Sequence, residues 1–196
     1  YFTTPNPEML VHAAKDPEFL KILQHSALAL PDGTGILWAS RYLSLPTPKN
    51  KMLRTLHLVW SLILLTLRPS RYKKILPERV TGTDLLVRIV QRSGEKGWLI
   101  FLLGAAPGVA ELAAQRLMAK YPRALIVGAH AGHPMVEEEK TTAEAINVTA
   151  PDILCVAYGS PKQEFWIHRN LAKLPTVKIA IGVGGALDFI SGKIKR

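Results

Sequence analysis

Apolar residues follow two rhythms along this chain of 196 residues. From Trp98 onward they gather in unbroken runs, WLIFLLG, ALIVGAHAG, DILCVAYGS and KIAIGVGG, each running into a glycine-bearing loop. Unbroken runs of this length are the pattern of strands covered on both faces. Between them the spacing turns helical, as in GVAELAAQRLMAKY, with Leu112, Leu117 and Met118 apolar, and in EEEKTTAEAINVTA. Strands alternating with helices predict parallel pairing through right-handed crossovers, so the fold class is α/β, a layered sheet of parallel strands with flanking helices. Its ligand crevice lies at the carboxyl ends of the strands, where the glycines fall. The first third predicts two helices and a strand. Asn6-Pro7-Glu8 and Asp16-Pro17-Glu18 each combine a cap residue, a first-turn proline and an early acid. Leu28 to Leu30 then lead into Pro31-Asp32-Gly33, and GILWASRYL reads as a further helix. The length suits a single domain over residues 1–196.

Residues 46–76 break this grammar. PTPKNKMLRTLHLVWSLILLTLRPSRYKKIL holds seven Lys or Arg, no acid, and an uncharged run from Thr55 to Leu67. Thirteen helical residues reach roughly 20 Å, whereas a bilayer core needs about 30 Å, so the segment is too short to cross a membrane. On a helical projection Arg54, Ser61 and Arg68 form a narrow polar stripe, while Leu53, Leu56, Trp60, Leu64 and Leu67 share an apolar face. That pattern fits a helix lying in a lipid interface, with Arg54, Trp60, Arg68 and Arg71 as its membrane contacts. A buried core helix or hairpin is the plainer reading of the same stripe.

Composition sharpens the choice of partner. A hydrophobic content of 48% is ample for a core, and a net charge of +10 calls for anionic partners: nucleic acid, nucleotide phosphates or acidic lipid. Aromatic residues are sparse at 7%, and no nucleic-acid motif is recognisable, which disfavours nucleic acid. The single cysteine, Cys155, reads as a small core residue and suggests a reducing compartment. Tyr1 in place of Met, and SGKIKR at the other end, suggest a chain trimmed at both ends.

The candidate chemistry lies in the loops. Pro31-Asp32-Gly33 is an ordinary turn signal, but it also holds a carboxylate after a strand. LLGAAPGVAE puts Gly104 and Gly108 between strand and helix, where free N–H groups can receive a phosphate. It lacks the full dinucleotide glycine pattern, and GAHAGH after the next strand offers no carboxylate for a ribose, so a nicotinamide enzyme is the weaker alternative. No Asp-x-Asp pair is present to hold a metal on a diphosphate, and His130 and His133, three apart, read as loop surface. In GSPKQEFWIHRN and ERVTGTDLL, polar side chains open helices, with Thr81 or Thr83 as a cap.

In order, TTPN, LPDGTG, ERVTGTDL, FLLGAAPG, GSPKQE and IGVGGALDFISG resemble the WecG/TagA/CpsF family, glycosyltransferase family 26, over nearly the whole chain except residues 46–76. The resemblance implies an inverting glycosyltransferase whose α/β core is a Rossmann-like layered sheet. It would move an N-acetylmannosamine-type sugar from a UDP donor to a lipid-linked saccharide at the cytoplasmic membrane face, as a peripheral protein without metal or other cofactor. It makes Asp32 the base, matches Thr4, Asn6, Arg79 and Gln163 to the family's polar site residues, and implies UDP contacts at Gly104, Ala105, Gly132, Tyr158, Gly159, Gly184 and Gly185. A homo-oligomer is compatible with it. The departures are the inserted segment and the lack of the family's C-terminal, membrane-docking appendage after Lys195-Arg196. A free Asp with pKa ~3.9 is a poor base near neutrality, so either burial raises it or the proton leaves late.

Overall fold

The computed structural model describes every residue except 69–71, 73 and 196. Six parallel strands form one sheet in the order β2-β1-β6-β5-β3-β4: β1 (Phe2–Thr3), β2 (Leu28–Ala29), β3 (Ile100–Gly104), β4 (Ile126–His130), β5 (Ile153–Ala157) and β6 (Ile179–Gly182). Parallel neighbours require crossovers, and helices supply them on both faces. On one face α5 (Gly82–Lys96), α6 (Val109–Lys120) and α9 (Ala186–Ile190) close over Ile100, Leu102, Cys155 and Ile181. The opposite face buries Phe101, Leu103, Leu154 and Val156 under α7 (Glu139–Thr149) and α8 (Lys162–Asn170). Successive residues of β3 and β5 thus point into different cores, which is why their sequence reads as an unbroken apolar run. Cys155 is fully buried, and desolvation pushes its thiol up to about 12.

The helix starts follow the capping chemistry of the sequence. Asn6 accepts from the Met9 N–H at 2.9 Å ahead of α1 (Pro7–Ala13), and Asp16 accepts from Glu18 and Phe19 ahead of α2 (Pro17–Gln24). Thr81, not Thr83, caps α5, accepting from the Asp84 N–H at 3.1 Å and donating to Asp84 Oδ2 at 2.8 Å. The apolar residues of α6 divide unexpectedly: Leu112 and Met118 are exposed, and the helix packs through Val109, Ala110, Ala113, Ala114 and Leu117. Alanine lets the α6 backbone lie close to the sheet, and that close fit outweighs burial of the larger side chains.

Two sequence expectations change. The N-terminal third contributes two strands rather than one, because Phe2–Thr3 inserts between β2 and β6. His130 is the last residue of β4 and not part of a loop; His133 lies beyond it, its Nδ1 accepting from the Met135 N–H at 3.3 Å.

The inserted segment forms α4 (Lys51–Leu67), which packs on α3 (Thr34–Leu43). Its buried residue is Ser61, the middle of the polar stripe: Trp38 Nε1 donates to Ser61 Oγ at 3.1 Å and the Tyr72 hydroxyl to its carbonyl at 2.6 Å. Leu53, Leu56, Trp60 and Leu67 are exposed, and Leu64 is half-buried. The expected apolar face therefore points away from the protein. Arg54 and Arg68 are exposed at the two ends, and Arg71 lies outside the described residues. No helix among the described residues is long and apolar enough to cross a membrane.

Candidate functional site

At the carboxyl ends of β1, β2, β5 and β6, residues distant in sequence converge on a cavity of about 300 Å³. Thr4 and Asn6 enter from the loop after β1, Asp32 from the turn after β2, Gln163 from the first turn of α8, and Gly184 and Gly185 from the tip of β6. Each is held by its neighbours. Thr4 Oγ1 donates to the Gly182 carbonyl at 3.0 Å. Asn6 spends Oδ1 on the cap of α1 and keeps its Nδ2 donors for the cavity it lines. The Asp32 turn is bound at both sides, its N–H donating to the Pro5 carbonyl at 2.9 Å while the Val80 N–H donates to the Pro31 carbonyl at 2.8 Å.

Gln163 is buried and clamped from two directions. Its Oε1 accepts from the Gly184 N–H at 3.0 Å, and its Nε2 donates to Glu164 Oε1 at 2.7 Å. Glu164 is also buried, and desolvation raises its carboxyl above the usual range, opposed by hydrogen bonds from Gln163 and Ser160. An amide whose carbonyl and one donor are both occupied has a single remaining N–H, so its direction is set in advance.

The opposite wall is the N-terminus of α5, through Thr81, Gly82 and Thr83. A 15-residue helix directs its first-turn N–H groups and the positive end of its dipole there, an arrangement suited to an anion. It reaches the β6 tip because residue 82 is glycine: a Cβ would lie 2.7 Å from the Val183 carbonyl oxygen.

The other expected site residues lie beside this cavity. Arg79 borders an adjoining cleft of about 620 Å³ with Glu78, Arg88 and Lys120, and Thr83 lines both spaces. Gly104, Ala105, Gly132, Tyr158 and Gly159 occupy the neighbouring tips of β3, β4 and β5, outside the Asp32 cavity. Gly104 and Ala105 have positive φ, and the Ala105 N–H donates to the Ala157 carbonyl at 3.0 Å. Burial, reinforced by Glu138, raises the Tyr158 phenol. Among the cavity-lining residues that the sequence reading did not assign to the site are three hydroxyl side chains, Ser160, Thr81 and Thr83. The two threonines stand in the ERVTGTDL stretch, read there only as caps. Among the described residues no group of His, Cys, Asp and Glu is arranged to hold a metal.

An all-parallel layered sheet with helices on both faces and a polar crevice at its strand tips is a Rossmann-like fold. The profile of the glycosyl transferase WecG/TagA/CpsF family matches residues 1–70 and 57–196, and the chain belongs to that family. It is 28% identical over 196 residues to a Bacillus spizizenii protein named N-acetylglucosaminyldiphosphoundecaprenol N-acetyl-beta-D-mannosaminyltransferase, with 100% of this chain and 64% of the relative covered. Proteins of the same name from Bacillus subtilis strain 168 and Staphylococcus aureus strain MRSA252 are 30% and 28% identical, over 99% and 100% of this chain and 63% and 65% of their own lengths. The chain thus spans a little under two thirds of these curated relatives.

Proposed function

We propose that the protein is an inverting glycosyltransferase that moves N-acetylmannosamine from a UDP donor to a polyprenyl-diphosphate-linked saccharide. It would act peripherally at the cytoplasmic membrane face, in the synthesis of a cell-surface polysaccharide or teichoic acid. The observation that carries this reading is the convergence of Thr4, Asn6, Asp32 and Gln163, from three separate parts of the chain, on one cavity walled by a helix N-terminus. The names borne by the Bacillus and Staphylococcus relatives support the choice of sugar and acceptor.

The chemistry follows from the donor set. The acceptor hydroxyl attacks the anomeric carbon, the bond from that carbon to the UDP oxygen breaks, and the hydroxyl proton passes to the Asp32 carboxylate. An ordinary carboxylate suffices, because the hydroxyl becomes strongly acidic once its bond to an oxocarbenium-like carbon has begun to form. Charge collecting on the leaving diphosphate meets the N-terminus of α5, with Arg79 in the adjoining cleft. The Asn6 amide and the remaining N–H of Gln163 orient sugar hydroxyl or acetamido oxygens.

The test is transfer from UDP-N-acetylmannosamine to a water-soluble, short-chain N-acetylglucosaminyl diphosphate lipid. Asp32→Asn is expected to lower kcat by about 10²-fold or more while UDP binding persists. Undiminished transfer by that variant would remove Asp32 from the mechanism, and saturable NADH binding with no response to UDP would favour a nicotinamide enzyme instead.

A further inference from the structure

The outward face of α4 has no partner among the described residues. Met52, Leu53, Leu56, Val59, Trp60, Ile63 and Leu67 follow one another along it at steps of one, three or four, and they are 43 to 71% exposed. Seven apolar side chains on one side of one helix make a patch of the kind that marks an interaction surface. The charge around it identifies the occupant. Between Gly33 and Pro77 there are eight Lys or Arg and neither Asp nor Glu, and Lys49, Lys51 and Arg54 stand at one end of the helix with Arg68 at the other. A second copy stacked antiparallel on this face would bring cation against cation at both ends. An anionic bilayer satisfies both features, taking the apolar ridge below its headgroups and meeting the cations with phosphates.

Beside the ridge, between α3 and α4, lies a cleft of about 310 Å³ bordered by Arg41, Tyr42, His57, Trp60, Tyr72 and Lys74. Arg41 and Lys74 have no carboxylate partner among the described residues. His57 Nδ1 is buried there with no hydrogen-bond partner among them. Trp60 belongs to both the ridge and the cleft, so a lipid lying against the ridge has its headgroup at the cleft mouth.

We propose that α3 and α4 form a membrane-docking element, with α4 lying flat in the interfacial layer of an anionic bilayer and the Arg41–Lys74 cleft receiving a lipid phosphate. The proposal deepens the transferase reading and rests on it for its purpose. α3 begins two residues after Asp32 and is about 15 Å long, so a docked α4 keeps the base within one short helix of the surface that carries the acceptor.

Flotation with vesicles tests it. The protein is expected to float with phosphatidylcholine vesicles containing about one-third phosphatidylglycerol and much less with phosphatidylcholine alone. Leu56→Glu/Ile63→Glu, at two exposed positions that leave the packing with α3 intact, lowers the bound fraction at least ~10-fold. Arg41→Glu/Lys74→Glu abolishes the preference for phosphatidylglycerol. Flotation of the Leu56→Glu/Ile63→Glu variant equal to that of the parent would overturn the proposal, as would a parent that does not float. A dimer that this variant converts to monomer, with vesicle binding unchanged, would assign the face to a second copy. Transfer to the short-chain, water-soluble acceptor is expected to be the same in parent and variant. If the parent floats as expected but transfers nothing, docking stands and the transferase reading falls.

Discussion

Gln163 and Glu164 are coupled, because the carboxylate oxygen bonded to the Gln163 amide belongs to the next residue along the same helix. Glu164→Gln keeps an acceptor at that place and is expected to retain transfer, whereas Glu164→Leu removes it, frees the Gln163 amide to rotate, and costs about 1–3 kcal/mol. The two variants also separate on pH. The Glu164 carboxyl is raised by burial, so its contribution to stability is fully present below the unfolded pKa and is lost as pH rises through the folded value. Denaturant titrations should therefore show Glu164→Gln gaining on the parent protein toward alkaline pH. If both proteins follow the same curve, the carboxyl is not desolvated. Gln163 itself was legible in PKQE, but which way its amide faces was not, because that is set by the Gly184 N–H, 21 residues away.

Among the elements, α5 and β6 depend on each other through a missing side chain. Gly82→Ala places a methyl 2.7 Å from the Val183 carbonyl, so backbone must move, and overpacking of this kind costs about 1–3 kcal/mol. The expected outcome is a lower Tm together with weaker UDP binding, since the same displacement withdraws the α5 N-terminus from the cavity; a lowered Tm with unchanged UDP affinity would detach that helix from the diphosphate. Long elements were readable from pattern alone: α5 carries a cap at Thr81, a helical stripe of Leu86 and Val90, and a left-handed Gly97 at its end. β1 was not. Two residues carry no periodicity, and Phe2–Thr3 is a strand only because β2 and β6 flank it. The orientation of α4 was legible in part, since the projection separated ridge from stripe, while its burial of Ser61 depends on Trp38 and Tyr72.

For the molecule as a whole, charge governs both partners and acid stability. With a net charge of +10, vesicle binding is expected to weaken as salt rises from about 0.05 to 0.5 M, because surface cations lose their reach as the screening length contracts. Asp152 ties β3 to the start of β6. Its carboxylate accepts from the Leu99 N–H at 3.0 Å and pairs with Lys178 at 2.7 Å, and those contacts hold it below the ordinary range. A lowered carboxyl contributes stability above its unfolded pKa and loses it as pH falls through the folded value, so Asp152→Asn should flatten the acid limb of stability below about pH 4. An unchanged limb would locate acid sensitivity elsewhere. The chain's own order of residues was enough to determine the α/β class, the caps of α1 and α2, the buried strands and the basic amphipathic helix, because each rests on a period or a cap within a few residues of itself. Only the folded chain decided that Asp32, Thr4, Asn6 and Gln163 share a cavity while Arg79 and the β3 to β5 tips lie beside it, and that α4 turns its apolar side outward. Those outcomes depend on which strand inserts beside which and on which helix surface finds a partner, contacts made between residues too far apart in the chain for any local pattern to encode.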